Sequence, residues 1–401
     1  MHYNFPQITH LDQVLEAIQG VDGFIVAQRD WGTVVNYVQM GPDLFPEVLS
    51  HDRPELAVHH AIRRECRGLI FNKQGELVSR PLHKFWNAGE RRETLLENID
   101  LSKPHIILDK MDGSMIRPIP ITGGTYRLGT KMGITDVAQQ AERYVANKSN
   151  INTFILGAIG AGYTPIFEWC SRQQRIVIDY PEDRLVLIAV RHVLTGEYLT
   201  YQQMQELAGE YGLDLVRAYA GTVENMQQLV NETRALEDQE GCVIRWDDGH
   251  MVKLKADSYV KIHRAKDALM QEKNLIELML TEKLDDVKAF LPQEDLARIE
   301  VYEREFWQGV QDTAAGWNLN YQTVRKRFGT DRKTFALEWA NGFDAHLRSL
   351  IFRAWDNPDF DWRLGVLGVI GKNLSSQTRV DETRYLHGSG PWRMQQRVDN
   401  E

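Results

Sequence analysis

Residues 106–115 read IILDKMDGSM. A short β-branched run, Ile106-Ile107-Leu108, leads into Lys110-Met111-Asp112-Gly113-Ser114-Met115, and an Asp-Gly pair marks a turn. The stretch predicts a buried strand that ends in a tight turn, with a lysine at the end of the strand. Taking an ammonium out of water is costly, so such a lysine tends to lose its proton, and a neutral lysine is a nucleophile. A surface lysine in an ordinary turn has the same pattern, so what matters is whether the chain builds a phosphate site around Lys110.

The chain of 401 residues is long enough for two or three domains. Hydrophobic residues at 43% and charged residues at 26% give an ordinary globular balance. The net charge of −9 means that any polyanion site must be a local basic patch. Three widely spaced cysteines, Cys66, Cys170 and Cys242, with no Cys-x-x-Cys, indicate neither a disulfide framework nor a zinc site, and fit a reducing cytoplasm. The first 20 residues lack the basic and apolar regions of a signal peptide. No apolar run approaches the roughly 18 residues that cross a membrane.

Taken in order, the chain predicts a helix from His10 to Ile18 closed by Gly20, then a hairpin over 23–40. A loop and short helix over 41–60 carry His51, His59 and His60. Adjacent histidines do not share a helix face, so His59-His60 reads as a solvated pair rather than a metal pair. Arg63-Arg64-Glu65-Cys66-Arg67-Gly68 leads into a strand, and Arg80, Lys84, Phe85 and Trp86 then interleave charge with aromatic surface. Such a stretch either grips phosphate and stacks a base, or is a strand with a buried aromatic face. Gly123-Gly124 turns a hairpin, and a helix covers 135–147. Glu168 stands in an apolar strand, either facing solvent or held for a purpose. RLVLIAVRHV (184–193) is the most apolar run and reads as a central strand.

Helices over 201–211 and 223–237 lead to Glu240-Gly241, a strand to Trp246, a turn at Asp247-Asp248-Gly249, and MVKLKADSYV. Lys253 and Lys255 share one strand face, either a charged solvent edge or a pair that holds an anion between them. Beyond about residue 262 the spacing is helical, and 376–401 reads as a poorly packed polar tail. The near P-loop from Gly365 to Gly371-Lys372-Asn373 has one residue too many and Asn where Ser or Thr should meet a metal ion.

Each signal is weak alone, but their succession resembles the nucleotidyltransferase superfamily of ATP-dependent polynucleotide ligases and messenger-RNA capping enzymes. Finer features resemble its bacteriophage T4 RNA ligase 1-like branch. They are Glu65-Cys66-Arg67-Gly68, Arg80-Pro81 with Lys84-Phe85-Trp86-Asn87, Lys110-Met111-Asp112-Gly113-Ser114, Phe167-Glu168 with Arg175-Ile176-Val177, Glu240-Gly241, Lys253-Leu254-Lys255 with Asp257 and Tyr259-Val260, and 329–338 in the helical region.

The resemblance implies an α+β, ATP-grasp-like nucleotidyltransferase domain of antiparallel sheets with flanking helices over 1–261, an all-α domain over 262–378 tied to tRNA specificity, and a tail over 379–401. It implies that Lys110 is adenylylated by ATP with Mg²⁺, or Mn²⁺ in its place, and that Asp112 orients it while Gly113 allows close approach. Glu168 would take the ribose hydroxyls. Arg67, Lys84, Lys253 and Lys255 would neutralise the triphosphate, and the last two with the metal would depress the pKa of Lys110. Tyr37, Trp86, Lys131 and Tyr259 would lie around the nucleotide. Glu240 would hold metal-bound water. Asp285-Asp286 is either a metal-touching pair or a helix N-terminal charge pair.

The expected partners are single-stranded RNA or anticodon-nicked tRNA, repaired during phage infection in the host cytoplasm, with 5′-phosphates supplied by a separate kinase and the protein a monomer. An mRNA guanylyltransferase or DNA ligase usually carries an OB-type barrel after the lysine pair, where this chain has helices. A tRNA-binding module without turnover would not need a competent residue at every motif position.

Overall fold

The computed structural model describes residues 5–38, 44–48, 54–173, 175–219, 223, 225–357 and 359–392, so His51 lies outside the described residues. Helix α1 (Leu11–Ile18) opens at His10, whose ring accepts the Asp12 amide while Gln13 reaches back to the His10 amide. Strands β1 (Phe24–Arg29) and β2 (Gly32–Tyr37) form the expected hairpin. Helix α2 (Pro54–Glu65) runs further than its sequence suggests, because its last turn takes in Arg63, Arg64 and Glu65. With β3 (Leu69–Phe71) and β4 (Leu77–Ser79) the first sheet has the order β1-β2-β3-β4.

The chain continues through β5 (Trp86–Asn87), β6 (His105–Lys110), β7 (Ser114–Ile121), β8 (Thr125–Gly129), α3 (Asp136–Val145), α4 (Ser149–Gly160), β9 (Tyr163–Cys170) and β10 (Arg184–His192). Then come α5 (Tyr201–Tyr211), α6 (Met226–Arg234), β11 (Gly241–Trp246) and β12 (Met251–Lys255). They make two further sheets, β10-β9-β7-β8 and β5-β12-β11-β6, antiparallel throughout except for the short β5–β12 pairing.

Two readings of this region need correction. The apolar run over 184–193 is an outer strand of its sheet, not a central one. It is apolar because it is buried and its free edge is covered: the Leu187 amide donates to Asp214 at 2.7 Å, and the Val216 amide returns to Leu187 at 3.0 Å. Helix α4 is an addition. Its apolar, glycine-interrupted run INTFILGAIG lacks a clear polar face, yet it buries Ile151, Phe154 and Ile155 against the sheet that carries Phe167 and Leu187.

A buried ionic knot ties the first sheet to the second. Glu65, at the end of α2, takes Arg80 beyond β4 at 3.1 Å and Arg191 on β10 at 2.6 Å, and all three side chains are essentially sealed from solvent. Arg80 is thereby a structural residue and not part of a phosphate grip.

The chain divides between Val260 and Lys261 into two compact units. Helix α7 (Asp257–Leu269) opens directly after the lysine pair, and no strand follows β12 among the described residues. The second unit is all helical, built on a 36-residue helix, Gln293–Phe328, that buries Ile299, Tyr302, Phe306 and Val310. The near P-loop is part of the helix Trp362–Lys372, with Gly365 packed against Leu350 and Phe360, so it presents no phosphate loop. The expected loose tail is packed as far as it is described. Val380 and Leu386 are buried, Arg384 pairs with Glu272, and the Trp392 indole donates to Leu269 at 2.6 Å. Its few anchors are spread through polar residues, which hides them from a reading by composition.

Candidate active site

Lys110 is the last residue of β6, where the sequence put it. In the β6–β11–β12 register Gly241 stands opposite Lys110 on one side and opposite Lys255 on the other. Both lysines therefore stand at one level of the sheet and on the same face as Gly241. Gly241 has φ +145°, and a Cβ there would come within 2.0 Å of the Leu254 carbonyl, so only glycine closes this ladder. Its neighbour Glu240 is 3% exposed, and its Oε1 lies 2.6 Å from Lys110 Nζ and 3.3 Å from Lys255 Nζ.

The turn after Lys110 is pinned from below. Asp112 is buried, and its Oδ2 accepts the amides of Val177 at 2.8 Å and Ile178 at 2.7 Å, while Oδ1 accepts the Tyr259 hydroxyl at 2.8 Å. The Asp112 amide donates to the Tyr180 hydroxyl at 2.9 Å. Asp112 and Tyr259 thus fix the loop that carries the lysine. Tyr180 had no signal in the sequence, because a lone tyrosine in an irregular segment has no periodicity to betray it. A Cβ on Gly113 would meet the Trp169 carbonyl at 2.4 Å, so this turn presses directly onto β9.

Lys110 stands on the wall of a cavity of about 350 Å³, a size suited to a small ligand. Tyr37, Arg67, Lys84, Asp112, Gly113, Glu168, Glu240, Lys253 and Tyr259 join it in the lining. Burial first, and then Lys110, Lys84, Lys255 and Arg67, push Lys253 down to about 7. Burial also lowers Lys84, whose Nζ sits 5.3 Å from the Tyr37 ring centre. The buried Nε of Arg67 has no hydrogen-bond partner among the described residues. Glu168 faces the cavity rather than solvent, and burial raises it to about 8, with the neighbouring carboxylates Glu240 and Asp112 adding to the shift and Lys110 opposing it. Sequence reasoning has Asp112 orient Lys110 and Glu240 hold metal-bound water, but in the structure Glu240 is the near partner of Lys110 itself.

Other expected residues stand elsewhere. Phe85 lines the cavity, but Trp86 turns to the opposite side. It is 2% exposed, packs on Phe45, and carries the Arg64 guanidinium 4.5 Å over its ring. Successive residues of a strand face opposite sides, so the pair could not both stack a base. Lys131 is buried, with its Nζ 5.3 Å from the Tyr37 ring centre, behind the cavity lining. Asp285 and Asp286 sit in the first turn of the short helix Leu284–Lys288 in the second unit, and Asp285 pairs with Lys288 at 3.6 Å. That is the helix N-terminal reading.

No group of three or more metal-ligating side chains occurs among the described residues. A divalent ion fits this donor set as a companion of phosphate oxygens, with Glu240 as the nearby carboxylate, which is how magnesium is usually held.

A family described as RNA ligase matches residues 65–259, and the family of the T4 RNA ligase 1 C-terminal domain matches residues 266–359. A putative RNA ligase of Thermovibrio ammonificans is 31% identical over 287 residues, 70% of this chain and 71% of that protein. RNA ligase 1 of bacteriophage TS2126 is 26% identical over 284 residues, 67% of this chain and 68% of that protein. A solved archaeal ATP-dependent RNA ligase covers 76% of this chain and 79% of its own with a TM-score of 0.45 at 15% identity, a likeness too slight to build on. The chain belongs to the T4 RNA ligase 1-like family of RNA ligases.

Proposed function

We propose, from membership of that family, that the protein is an ATP-dependent ligase that joins 5′-phosphate and 3′-hydroxyl ends of RNA through a lysyl-AMP intermediate on Lys110. The observation that carries this is the pairing of Lys110 with Glu240 on the wall of a cavity lined by Arg67, Lys84 and Lys253. A strand-end amine, a carboxylate to take its proton and a bank of cations are what attack on a triphosphate requires.

In the first step Lys110 Nζ forms a bond to the α-phosphorus of ATP, the bond to pyrophosphate breaks, and the amine proton leaves toward Glu240. Arg67, Lys84, Lys253 and Lys255 neutralise the phosphates, and Glu168 takes the ribose hydroxyls. In the second step an oxygen of the RNA 5′-phosphate attacks the same phosphorus, and the N–P bond breaks to free Lys110. In the third step a 3′-hydroxyl attacks the 5′-phosphorus of the adenylylated end, and AMP leaves. Positioning and charge neutralisation carry most of such catalysis. Magnesium, or manganese in its place, would accompany the triphosphate near Glu240 and offset its charge.

The substrate is single-stranded RNA or anticodon-nicked tRNA, and its 5′-phosphate comes from a separate kinase. This reading places the protein as a monomer in the cytoplasm of a phage-infected cell. The helical unit supports the tRNA reading with exposed Lys326, Arg327 and Lys333, where Arg327 stacks 3.9 Å over the Trp339 ring, while Arg332 is taken by Asp356 at 2.6 Å. Incubation with α-labelled ATP or GTP tests the proposal. ATP should label the protein and GTP should not, and Lys110→Ala should abolish the label. The same protein should circularise 5′-phosphorylated single-stranded RNA and seal anticodon-nicked tRNA. Labelling by GTP alone would overturn the ligase reading.

A further inference from the structure

Strand alternation puts Gly241, Val243 and Arg245 of β11 on the cavity face, with Lys110 and Leu108 of β6 and Lys253 and Met251 of β12 beside them in register. Arg245 stands four residues from Gly241, roughly 13 Å along the strand at about 3.3 Å per residue. The lining is divided in character. Lys253 and Arg67 stand with Phe85 toward β12 and β5, whereas Leu108, Ile188 and Val216 pack together toward β6, and Met115 and Ile188 continue that apolar surface to Met251 and Leu82. Arg245 is the charge that accompanies this apolar half.

Arg245 is 4% exposed, and among the described residues its guanidinium reaches only the Met204 thioether, at 3.7 and 3.9 Å. No carboxylate among the described residues lies within ion-pair distance of it. The other deeply buried arginines differ. Arg80 and Arg191 share Glu65, Arg64 has Glu93, and Arg117 donates to the carbonyls of Gly68 and Thr130. A thioether is a weak acceptor, and a buried guanidinium without oxygen or nitrogen partners is costly. The cost is recovered where a ligand brings an acceptor into this end of the cavity.

A triphosphate drawn to the cations leaves its base in the apolar half. A guanidinium only donates hydrogen bonds. Adenine N1 accepts one, whereas guanine N1 carries a proton. On the opposite edge of a purine the same fork would favour guanine, through O6 and N7. We propose that Arg245 reads the base, donating to N1 of the adenine of bound ATP and so selecting ATP over GTP. This rests on the ATP-ligase reading given above.

The test compares ATP, 1-deaza-ATP and 7-deaza-ATP on the full-length protein, by equilibrium binding and by single-turnover labelling of Lys110. A hydrogen bond to a charged group supports a loss of roughly tenfold to a hundredfold for 1-deaza-ATP, with 7-deaza-ATP within about threefold of ATP. Arg245→Met should bind ATP as weakly as wild type binds 1-deaza-ATP, should no longer distinguish the two, and should accept GTP relatively better, with Arg245→Lys between. Equal binding of ATP and 1-deaza-ATP by wild type overturns the proposal, as does a loss specific to 7-deaza-ATP. So does discrimination that survives in Arg245→Met with an unchanged melting temperature. The analogue comparison needs no variant, so a poorly folding Arg245→Met does not blunt it. Absence of a Lys110 label with ATP counts against the ligase reading, while the binding arm still judges Arg245.

Discussion

Lys110 Nζ and Glu240 Oε1 lie 2.6 Å apart, and the same carboxylate oxygen takes Lys255 at 3.3 Å. One buried acid therefore both aims the nucleophile and separates it from the next cation. Glu240→Gln keeps the size and removes the charge. Loss of a positioned proton acceptor supports a fall of about a hundredfold or more in lysyl-AMP formation. Single-turnover labelling with α-labelled ATP measures it, and a rate within threefold of wild type would show that the ion pair plays no part in the chemistry.

Lys253, pushed down to about 7 by burial and by its four cationic neighbours, makes nucleotide binding depend on pH. Below pH 7 it is charged and attracts phosphate, and above pH 7 it is neutral. Bound phosphate favours the charged form, so binding takes up a proton. The dissociation constant of ATP should rise between pH 7 and 8.5, by at most about tenfold per pH unit. Lys253→Met should bind more weakly and show a flatter profile. Glu168, raised to about 8, ionises over the same range, where it accepts the ribose hydroxyls more strongly but repels phosphate, so its own variant separates it from Lys253. A slope that persists in Lys253→Met and vanishes in Glu168→Gln belongs to the carboxyl.

The alternating or helically spaced parts of the fold were legible from the sequence. The β1–β2 hairpin, the Lys110 strand, α3, α5 and the lysine-pair strand all carry their own period. Helix α4 and the packed segment over 377–392 do not, the one apolar nearly all round and the other polar with sparse anchors. The site was legible as a succession of residue types, since Lys110, Glu168, Glu240 and Lys253 do line one cavity. What the sequence could not state was the outcome of register. Trp86 and Phe85 fall on opposite sides, Glu240 comes onto Lys110, and Arg245 is carried to the far end of the same face.

Glu168 should couple stability to pH. Its pKa in the folded protein is raised to about 8 from an ordinary value near 4.5, so the folded state holds a proton that the unfolded chain has lost. The resulting stability is fully present below pH 4.5 and is lost as pH rises to 8. At about 1.4 kcal/mol per pKa unit, the loss is on the order of a few kcal/mol. Glu168→Gln imitates the neutral acid, so its melting temperature relative to wild type should increase from pH 5 to pH 9. A constant difference across that range would mean that Glu168 is ionised in the free protein.

Two buried carboxylates in this unit each lie between two cations, and their substitutions should separate chemistry from stability. Glu65 joins Arg80 and Arg191, both sealed from solvent, and these partners outweigh its burial and hold it at about 2. Its contribution is present above pH 4.5 and is lost as pH falls toward 2. Glu65→Gln strands two guanidinium groups without an anion, a cost of about 3–5 kcal/mol when one partner of a buried pair is removed. For a unit of this size that is a drop of roughly 6–20 °C in melting temperature. Glu65 does not line the cavity, so ATP affinity measured well below the transition should stay within about threefold of wild type. Glu240→Gln should instead lose lysyl-AMP formation, read by labelling of Lys110, and keep its melting temperature, because Lys110 and Lys255 keep 21% and 17% exposure at the site and can be hydrated when their carboxylate is gone. Calorimetry beside ATP titration and Lys110 labelling checks the contrast, and equal melting losses in the two variants would refute the division of roles.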